Sequence, residues 1–559
     1  MKGARIVLTR RDLMKLGLMS FPVLNWGPSV ALARTNAGKG GDAVTSPPTR
    51  PFVVELPIPP VAQAIQTLDP APDPAAHQRY SEFPPRMFYE IHQREAKHSF
   101  HPDLPENLIW GFDGIFPGPT FHARYGEPII ARFYNDLPAN HVGFGIPETS
   151  THLHNAHTAS ESDGFPTDFF FSGQCKDNHY PNIYAGGDPR EALGTLWYHD
   201  HRVDFTTQNV YKGLVGFYLL FDELDSGHEE DWNPGLGLPS GDFDVPLAFA
   251  DKAFTPDGQV FFDAFNFDGI LGDKFTVNGV IQPFFKVARR KYRFRLLDAG
   301  PSRFYQFFLS KGQPGKTSEL FTLIANDGNL LPAPLAVQSV DLGVANRMDV
   351  IIDFSNYKIG DQLFLENRWE QTNGRGPTGK ILPMGDAILR FDVDRDAPDH
   401  SRVPSKLREL PPINLKEVAT ERSWVFARDQ GAWVVNGKFF NVNEIRANPQ
   451  QGRAEIWTLK NGGGGWSHPI HIHMEEFQIL TRNGEPPAPH EVSRKDVVIL
   501  GPGDEVRVFI RFRDWVGRYP THCHNTVHED HSMMFRWDLI DRNGDNRPSP
   551  RVFGTRILP

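Results

Sequence analysis

The chain has 559 residues and a formal net charge of −10, and its 58 basic against 68 acidic residues exclude a strongly basic nucleic-acid-binding protein. This length is several times that of a typical domain, so we expect several domains. The 50 glycines and 48 prolines favour a turn-rich β structure over a helical one, and the two cysteines exclude a disulfide framework.

The first predicted element is an export signal at residues 1–33. Arg10 and Arg11 precede a modestly apolar stretch that ends in Ala-Leu-Ala, a sequence typical of a cleavage site. Two prolines and an asparagine interrupt this stretch, which makes it a poor membrane helix. The segment is similar to a twin-arginine signal. The alternative is a chance arginine pair ahead of a general secretory signal or a membrane anchor. We therefore expect a periplasmic or secreted protein.

Residues 34–50 are predicted to form a disordered linker, because they contain almost no large apolar side chain. No later segment is apolar over the length needed to cross a bilayer. The mature chain is therefore predicted to have no membrane span.

The remaining chain contains three copies of one pattern. An Asp-Gly or Asn-Gly pair ends a short aromatic or β-branched run at residues 110–114, 275–279 and 433–437. Such pairs form tight hairpin turns, because glycine tolerates a positive φ. Each copy continues into a strand-like segment, which reads PIIARFYND, KYRFRLLDA or AEIWTLKNG. The pattern predicts an all-β fold of three Greek-key sandwich domains, at residues 51–225, 226–405 and 406–559.

The histidines of the first and third predicted domains are paired. Four His-x-His pairs are present: His152/His154, His199/His201, His471/His473 and His522/His524. Residues i and i+2 of a strand point to the same face, so each pair can present two imidazoles to one site. Eight imidazoles from two domains converge only if those domains meet. We therefore predict a metal cluster at their interface, with the middle domain as a spacer.

A second metal site is predicted around Cys523. This cysteine lies between the two histidines of the last pair, so its sulfur points to the opposite face of the strand. His468, His528 and Met533 are the other candidates, because two imidazoles, a thiolate and a weak axial thioether suit blue copper. Zinc also binds imidazole, but a zinc site of three or four ligands does not account for eight imidazoles and this separate set.

Four segments of the chain resemble the multicopper oxidase family. They read THLHNAHTASESDG, LWYHDHRVDFTTQNVYKGLVGFY, HPIHIHMEEFQIL and YPTHCHNTVHEDHSMM, and the resemblance extends from residue 51 to the C-terminus. Within the family the chain is similar to spore-coat laccases and bilirubin oxidases. The resemblance implies three cupredoxin domains and four copper ions per chain: type 1, type 2 and a binuclear type 3 pair.

The resemblance also implies the ligands of each ion. His468, Cys523 and His528 match the type 1 ligands, with Met533 axial. His152 and His471 match the type 2 ligands, and the type 3 pair is matched by His154, His199, His201, His473, His522 and His524. The family usually has glycine where this chain has Asn155. We expect the turn to survive, because asparagine tolerates left-handed backbone.

The implied reaction couples one-electron oxidation of phenols, aromatic amines or bilirubin-type donors to four-electron reduction of O2 to water. Electrons would enter at the edge of His528, which in the family lies nearest solvent. Asp163 and Glu529 match family carboxylates that manage protons at the cluster, although either could be an ordinary polar loop residue. Residues 482–491 are expected to help shape the donor site.

Two alternative functions stay open. A metal-ion oxidase acting on Mn2+ or Fe2+ would need a carboxylate cluster beside the type 1 site. A copper-free structural protein on the same scaffold is disfavoured by the complete ligand set, and nine methionines argue against a dedicated cuprous oxidase. We expect a monomer whose partners are a small-molecule electron donor and O2. Cys175 is placed in a loop and is assigned no function.

Overall fold

The computed structural model describes residues 45–316 and 318–541. The predicted export signal and most of the predicted linker lie outside the described residues, as does the end of the chain from residue 542. Within the described residues the chain forms three consecutive pairs of β-sheets, which we call the first, middle and third sandwich.

The first sandwich pairs a sheet of strand order β2-β1-β4-β8 with a sheet of order β3-β10-β9-β6, and β5 and β7 form a separate ribbon. One helix, α1, precedes its last strand. The bounds are β1 Met87–His98, β2 Asn107–Phe112, β3 Gly118–Arg124, β4 Ile129–Asn135, β5 Glu148–Thr149, β6 Thr151–His154, β7 Phe170–Phe171, β8 Cys175–Tyr180, β9 Thr195–Asp200, α1 Thr206–Lys212 and β10 Val215–Phe221.

The middle sandwich pairs a sheet of order β14-β13-β11-β16-β22-β19-β20, with β12 beside β11, and a sheet of order β15-β24-β23-β17-β18, with β21 beside β17. The bounds are β11 Asp244–Phe254, β12 Val260–Phe261, β13 Lys274–Val277, β14 Val280–Ile281, β15 Phe284–Ala288, β16 Lys291–Asp298, β17 Tyr305–Lys311, β18 Ser318–Glu319, β19 Phe321–Asn326, β20 Asn329–Val337, β21 Val340–Leu342, β22 Arg347–Asp353, β23 Gln362–Trp369 and β24 Ile381–Arg395.

The third sandwich pairs a sheet of order β26-β25-β28-β33-β30-β31 with a sheet of order β27-β35-β34-β29-β32. The bounds are β25 Val418–Asp429, β26 Ala432–Val435, β27 Ile445–Ala447, β28 Arg453–Asn461, β29 His468–Ile472, β30 Phe477–Arg482, β31 Arg494–Lys495, β32 Val497–Leu500, β33 Glu505–Phe512, β34 Gly517–Cys523, α2 Thr526–Asp530 and β35 Met534–Leu539. Short 3-10 helices lie at Pro74–Ala76, Ser160–Ser162, Ala185–Gly187, Pro189–Glu191, Gly241–Phe243, Phe354–Asn356, Leu415–Glu417 and Pro489–Glu491.

The repeated turn has the same structure in all three sandwiches. Asp113, Asn278 and Asn436 have φ of 54°, 47° and 48°, and the glycine after each is also positive, as a type I′ hairpin turn requires. The side-chain oxygen of each of these residues accepts a hydrogen bond from a neighbouring strand, donated by the backbone N–H of His92, Ala248 and Val425 respectively. The three copies of the predicted internal repeat therefore share the same turn and the same side-chain hydrogen bond.

The three strand-like segments predicted downstream of the turns form β4, β16 and β28, and they also pair in the same way. Each lies parallel to the first long strand of its own sandwich: β4 to β1, β16 to β11, and β28 to β25. The apolar faces of each sheet pair enclose their own buried core, which is the arrangement expected of a β-sandwich.

The start of the predicted first domain is not confined to the first sandwich. The backbone N–H of Phe52 donates to the carbonyl of Gln282, and that of Leu56 donates to the carbonyl of Phe284, both at 2.8 Å. Residues 52–56 therefore extend alongside β15 of the middle sandwich before the chain enters β1. The predicted domain boundaries stay predictions.

Across the described ranges, no helix combines the length and the apolar character that a bilayer-crossing segment requires.

Candidate metal centre

The eight paired histidines come together between the first and third sandwiches, and we call them the histidine cluster. β6 lies antiparallel to β9 with His152 opposite His199, and β29 lies antiparallel to β34 with His471 opposite His522. The rings of His152 and His471 are 5.7 Å apart across the interface. All eight side chains are buried. The predicted convergence of two domains on one site is therefore present in the structure.

Three members of the histidine cluster surround a single point. The Nε2 atoms of His201, His473 and His522 form a triangle with sides of 3.1, 3.2 and 3.3 Å. Nitrogens bound to one metal ion at about 2.0 Å lie roughly 3.3–3.5 Å apart in trigonal or tetrahedral geometry. This trio therefore has the spacing of the ligands of one ion.

Two carboxylates face the outer nitrogens of this trio. Glu529 places one oxygen 3.1 Å from Nδ1 of His201 and the other 3.1 Å from Nδ1 of His522. Oδ2 of Asp163 lies 2.8 Å from Nδ1 of His473. A carboxylate at Nδ1 fixes the ring orientation and leaves the Nε2 lone pair for a metal. The two predicted acidic residues are thus buried against ligand candidates rather than in an ordinary polar loop.

The other members of the cluster present nitrogens that have no hydrogen-bond partner. Nδ1 of His152, His199 and His471 donates to a backbone carbonyl, that of Asp163, Asp200 and Asp496 respectively. Their Nε2 atoms are buried and without hydrogen-bond partners, as are both ring nitrogens of His154 and His524. Buried polar atoms normally find a partner, because desolvation is otherwise costly. A set of inward-facing imidazole lone pairs fits bound metal ions.

The second predicted site forms on the other side of β34, and we call it the Cys523 site. Nδ1 of His468 lies 3.2 Å from Nδ1 of His528, and the two nitrogens lie 3.5 and 3.6 Å from Sγ of Cys523. Burial raises the pKa of the Cys523 thiol well above its usual value, so a thiolate there needs a bound cation. Met533 belongs to the same buried apolar cluster as Cys523. This donor set fits type 1 copper.

The structure corrects one expectation about this site. His528, predicted to present an edge towards solvent, is fully buried. Its Nε2 donates to the carbonyl of Asp268 at 3.0 Å, and the ring of Trp433 lies over it at 3.8 Å. Nε1 of Trp433 in turn donates to the carbonyl of Phe267 at 2.8 Å. The segment between β12 and β13 of the middle sandwich therefore covers His528, which sequence spacing could not indicate because this segment is an irregular connection.

One expectation stays a prediction and another differs from the structure. Within residues 482–491, the Arg482 guanidinium pairs with Glu491, and the carbonyl of His490 accepts a hydrogen bond from Asn326. The part of this segment in shaping the donor site stays a prediction. Cys175 is buried in strand β8 opposite Tyr134, not in a loop.

The middle sandwich is more than a spacer, because it contacts the residue that follows the first histidine pair. Asn155 adopts φ of 70°, as its tolerance of left-handed backbone predicted, and its side-chain amide donates to the carbonyl of Asp327 at 2.9 Å.

Asp496, which sequence reasoning did not select, contacts both His154 and His471. No local spacing signal marks Asp496, since it lies far from both histidines in the chain.

Known proteins share these sequence features. Residues 95–225 and 412–541 each match the multicopper oxidase family. The chain is 35% identical over 502 residues to a bilirubin oxidase of Albifimbria verrucaria, covering 88% of this chain and 82% of that protein. It is 31% identical over 535 residues to a laccase of Bacillus subtilis (strain 168), covering 85% of this chain and 98% of that protein.

Solved structures share the fold. The multicopper oxidase McoA of Aquifex aeolicus superposes with a TM-score of 0.70 at 25% identity, covering 87% of this chain and 99% of that one. A laccase of Pediococcus acidilactici Pa5930 superposes with a TM-score of 0.72 at 23% identity, covering 89% of this chain and 95% of that one.

Proposed function

Because the chain belongs to the multicopper oxidase family, we propose that it is a laccase-like enzyme that takes single electrons from aromatic organic donors. The donor classes are phenols, aromatic amines and bilirubin-type pyrroles. Membership makes the protein a copper-dependent oxidoreductase that uses O2 and carries type 1, type 2 and type 3 copper, four ions per chain, on cupredoxin-like domains.

We assign the Cys523 site to the type 1 ion and the histidine cluster to the other three. In this assignment His152 and His471 bind the type 2 ion, while the type 3 pair takes one trio of His201, His473 and His522 and another of His154, His199 and His524. When bound, copper supplies one-electron redox chemistry at both sites. His522 and Cys523 are the last two residues of β34, and His524 is the next residue. The backbone of these three residues therefore joins the two sites directly.

The surroundings of His528 are the observation that favours aromatic donors. Trp433 lies on its ring, and the ring of Trp466 meets Trp433 edge-on at 5.2 Å. The guanidinium of Arg428 lies 5.2 Å from the centre of the Trp433 ring. The layer over the Cys523 site is therefore aromatic and buried, which favours a donor that passes single electrons through it over a metal ion that must be held by oxygen ligands.

A metal-ion donor has less support at this position. The carboxylate beside this aromatic layer is that of Asp268, and it forms an ion pair with the guanidinium of Arg428. A site for Mn2+ or Fe2+ needs several carboxylate or carbonyl oxygens that are not already neutralised. A Trp-rich layer with one paired carboxylate favours an organic donor.

A panel of donors tests the proposed substrate class. Oxygen uptake is measured with a methoxyphenol, an aromatic diamine, bilirubin, Mn2+, Fe2+ and Cu+ under one set of conditions. We expect the aromatic donors to give the highest kcat/KM, and we expect Trp433→Leu to lower that value for them. Trp424→Leu is the matched control, because Trp424 is buried in the same sandwich but stacks on Phe535 instead. Preferred turnover of Mn2+ or Fe2+, or equal effects of both substitutions, would contradict the proposal.

We also propose export through the twin-arginine route, on the basis of Arg10, Arg11 and the weakly apolar segment that follows them. Replacing both arginines by lysine keeps the charge. We expect the precursor to accumulate inside the cell, and a normal periplasmic yield would point to another route.

A further inference from the structure

An arginine of the middle sandwich lies on the outer side of the aromatic layer over the Cys523 site. The guanidinium carbon of Arg375, in the connection between β23 and β24, is 4.3 Å from the centre of the Trp466 ring, within the range of a cation–π contact. Arg375 is exposed, whereas Trp466 is buried. Trp466 meets Trp433 edge-on, and Trp433 lies on the ring of His528. Arg375 is therefore the surface end of a line of side chains that leads to His528.

Two close contacts hold the backbone around Arg375 in place. The carbonyl of Arg375 accepts a hydrogen bond from the backbone N–H of Ser467 at 2.7 Å, next to Trp466 in the chain. Gly374 lies so close to Gly269 that a Cβ on either residue would overlap the backbone of the other. Gly269 belongs to the segment between β12 and β13 that covers His528. The position of Arg375 is therefore set by the same packing that closes the Cys523 site.

The guanidinium of Arg375 has no acidic partner within the protein. Across residues 45–316 and 318–541, no carboxylate pairs with it and no group accepts a hydrogen bond from its side-chain N–H groups. The guanidinium of Arg428 lies 5.1 Å from the same Trp466 ring, but its charge is matched by Asp268. These three charged side chains sum to one positive charge, in a chain whose formal net charge is −10. The outer side of the layer therefore presents one uncompensated cation with all its donors unused.

We propose that Arg375 selects electron donors by charge: it binds a carboxylate or sulfonate of an aromatic donor and holds that donor at the outer side of the layer. The inference rests on the proposed function and narrows it to aromatic donors that carry an acidic group. A guanidinium stacked on a ring keeps its N–H groups at the edge of its own plane, where they engage both oxygens of such a group. A metal cation would instead be repelled by Arg375. Binding there adds no chemical step to the reaction with O2.

The test compares two donors that differ in charge and share the same phenol. Oxygen uptake by the copper-loaded full chain is measured with syringate and with methyl syringate, at neutral pH and low ionic strength, for the wild type and Arg375→Gln. Exposed ion pairs contribute little, so we expect kcat/KM for syringate to fall about two- to fivefold relative to that for methyl syringate. The change should be in KM more than in kcat, because the contact binds the donor throughout. High salt should reduce the difference, because it screens exposed charges.

Arg402→Gln is the matched control. Arg402 is likewise exposed and lies 5.7 Å from the centre of a tryptophan ring, that of Trp232. Its guanidinium donates to the carbonyls of Gly235 and Leu236, away from the aromatic layer. We expect Arg402→Gln to leave the ratio between the two donors as in the wild type. Arg375→Lys keeps the charge but cannot engage both oxygens of a carboxylate, so its ratio should lie between those of the wild type and Arg375→Gln.

A purely structural role of Arg375 would give a different result. If Arg375 only covers Trp466, Arg375→Gln changes the oxidation of syringate and methyl syringate by the same factor, and the inference is overturned. An equal change of the donor ratio in Arg402→Gln would overturn it as well. In both cases the proposed function stands as long as the wild type oxidises the two phenols in preference to Mn2+ and Fe2+. Preferred turnover of Mn2+ or Fe2+ by the wild type would reject the proposed function and the inference together.

Discussion

Met533 and Met534 are adjacent in the chain but pack in different cores. Met533 lies in the apolar cluster of Cys523, whereas Met534 packs with Phe165 and Phe440. We expect Met533→Leu to raise the type 1 reduction potential, because the weak axial thioether no longer donates electron density to copper. Redox titration of the blue band measures the change. A lowered potential, or a comparable rise in Met534→Leu, would show that the axial assignment is wrong.

Asp163 joins two ligand candidates through its carboxylate and its carbonyl. Burial raises the pKa of Asp163 well above that of an ordinary aspartate, which favours its protonated form. Reduction of O2 consumes protons, and a positioned acid–base group contributes ~10²–10⁴ in rate. We expect Asp163→Asn to slow reoxidation of the reduced enzyme by O2 far more than reduction by the donor, which stopped-flow absorbance measures separately.

Asp168→Asn is the control for that substitution. Asp168 is buried in the same connection, but it pairs with Arg518 and has no recorded contact with a histidine of the cluster. Wild-type reoxidation by Asp163→Asn would leave Glu529 as the next candidate for the proton route, whereas equal slowing in both variants would indicate a general loosening of the loop.

The residues that spacing could predict are those whose partners lie two positions away. His522, Cys523 and His524 alternate along the end of β34 and the residue after it, so the prediction that they face two sides needs only strand geometry. Asp496 and Trp433 could not be predicted in this way. Each acts on a histidine far away in the chain, and their positions follow from packing between sheets.

At the scale of elements, the repeated turns allow a matched comparison of two glycines. Gly279 and Gly437 both follow an asparagine at positive φ, and their own φ values are 82° and 69°. A Cβ at Gly437 would meet no atom within 4 Å, whereas a Cβ at Gly279 would lie 2.4 Å from the carbonyl oxygen of Phe116 in the first sandwich. The same turn thus stands in open space in one sandwich and against a neighbour in another.

We expect Gly437→Ala to destabilise the protein by about 1–2 kcal/mol, the cost of left-handed backbone for a residue with a Cβ. Gly279→Ala adds a steric clash with backbone and should lower the apparent melting temperature considerably more. Calorimetry of the copper-free variants measures both changes. Equal shifts would mean that the contact between the turn and Phe116 relaxes without cost.

Turns and strands of this fold were predictable because the hairpin signal is local. An Asn-Gly or Asp-Gly pair needs only its own two residues to specify a type I′ turn, and all three copies form it. The segment around Asp268 carries no such signal. Its position over His528 depends on a hydrogen bond and an ion pair to the third sandwich. The burial of His528 could therefore be found only from the tertiary structure.

At the scale of the whole molecule, the first and third sandwiches are joined in two different ways. Protein contacts join them without metal: Asp530 of α2 accepts hydrogen bonds from the backbone N–H groups of Thr206 and Thr207 in α1, and Arg513 pairs with Glu191 at 2.7 Å. At the histidine cluster, bound copper would add to the contacts that Asp163 and Glu529 make across the interface, because the ligand candidates come from both sides.

Removing copper should therefore loosen one part of the interface and leave the other. Ligands that bind only the folded state stabilise it, by ~4 kcal/mol at a thousandfold excess over Kd, so the copper-free protein should melt at a lower temperature. Hydrogen exchange should rise in β6, β9, β29 and β34, whose buried imidazole nitrogens would lack a partner. Exchange around Glu191 and in the middle sandwich strand β23 should change little, because their contacts do not include a proposed copper ligand. Mass spectrometry of peptides from both forms measures this pattern.

A uniform rise over all three sandwiches would mean that copper stabilises the fold as a whole, and no rise in the four strands would mean that the cluster is held by the protein contacts alone.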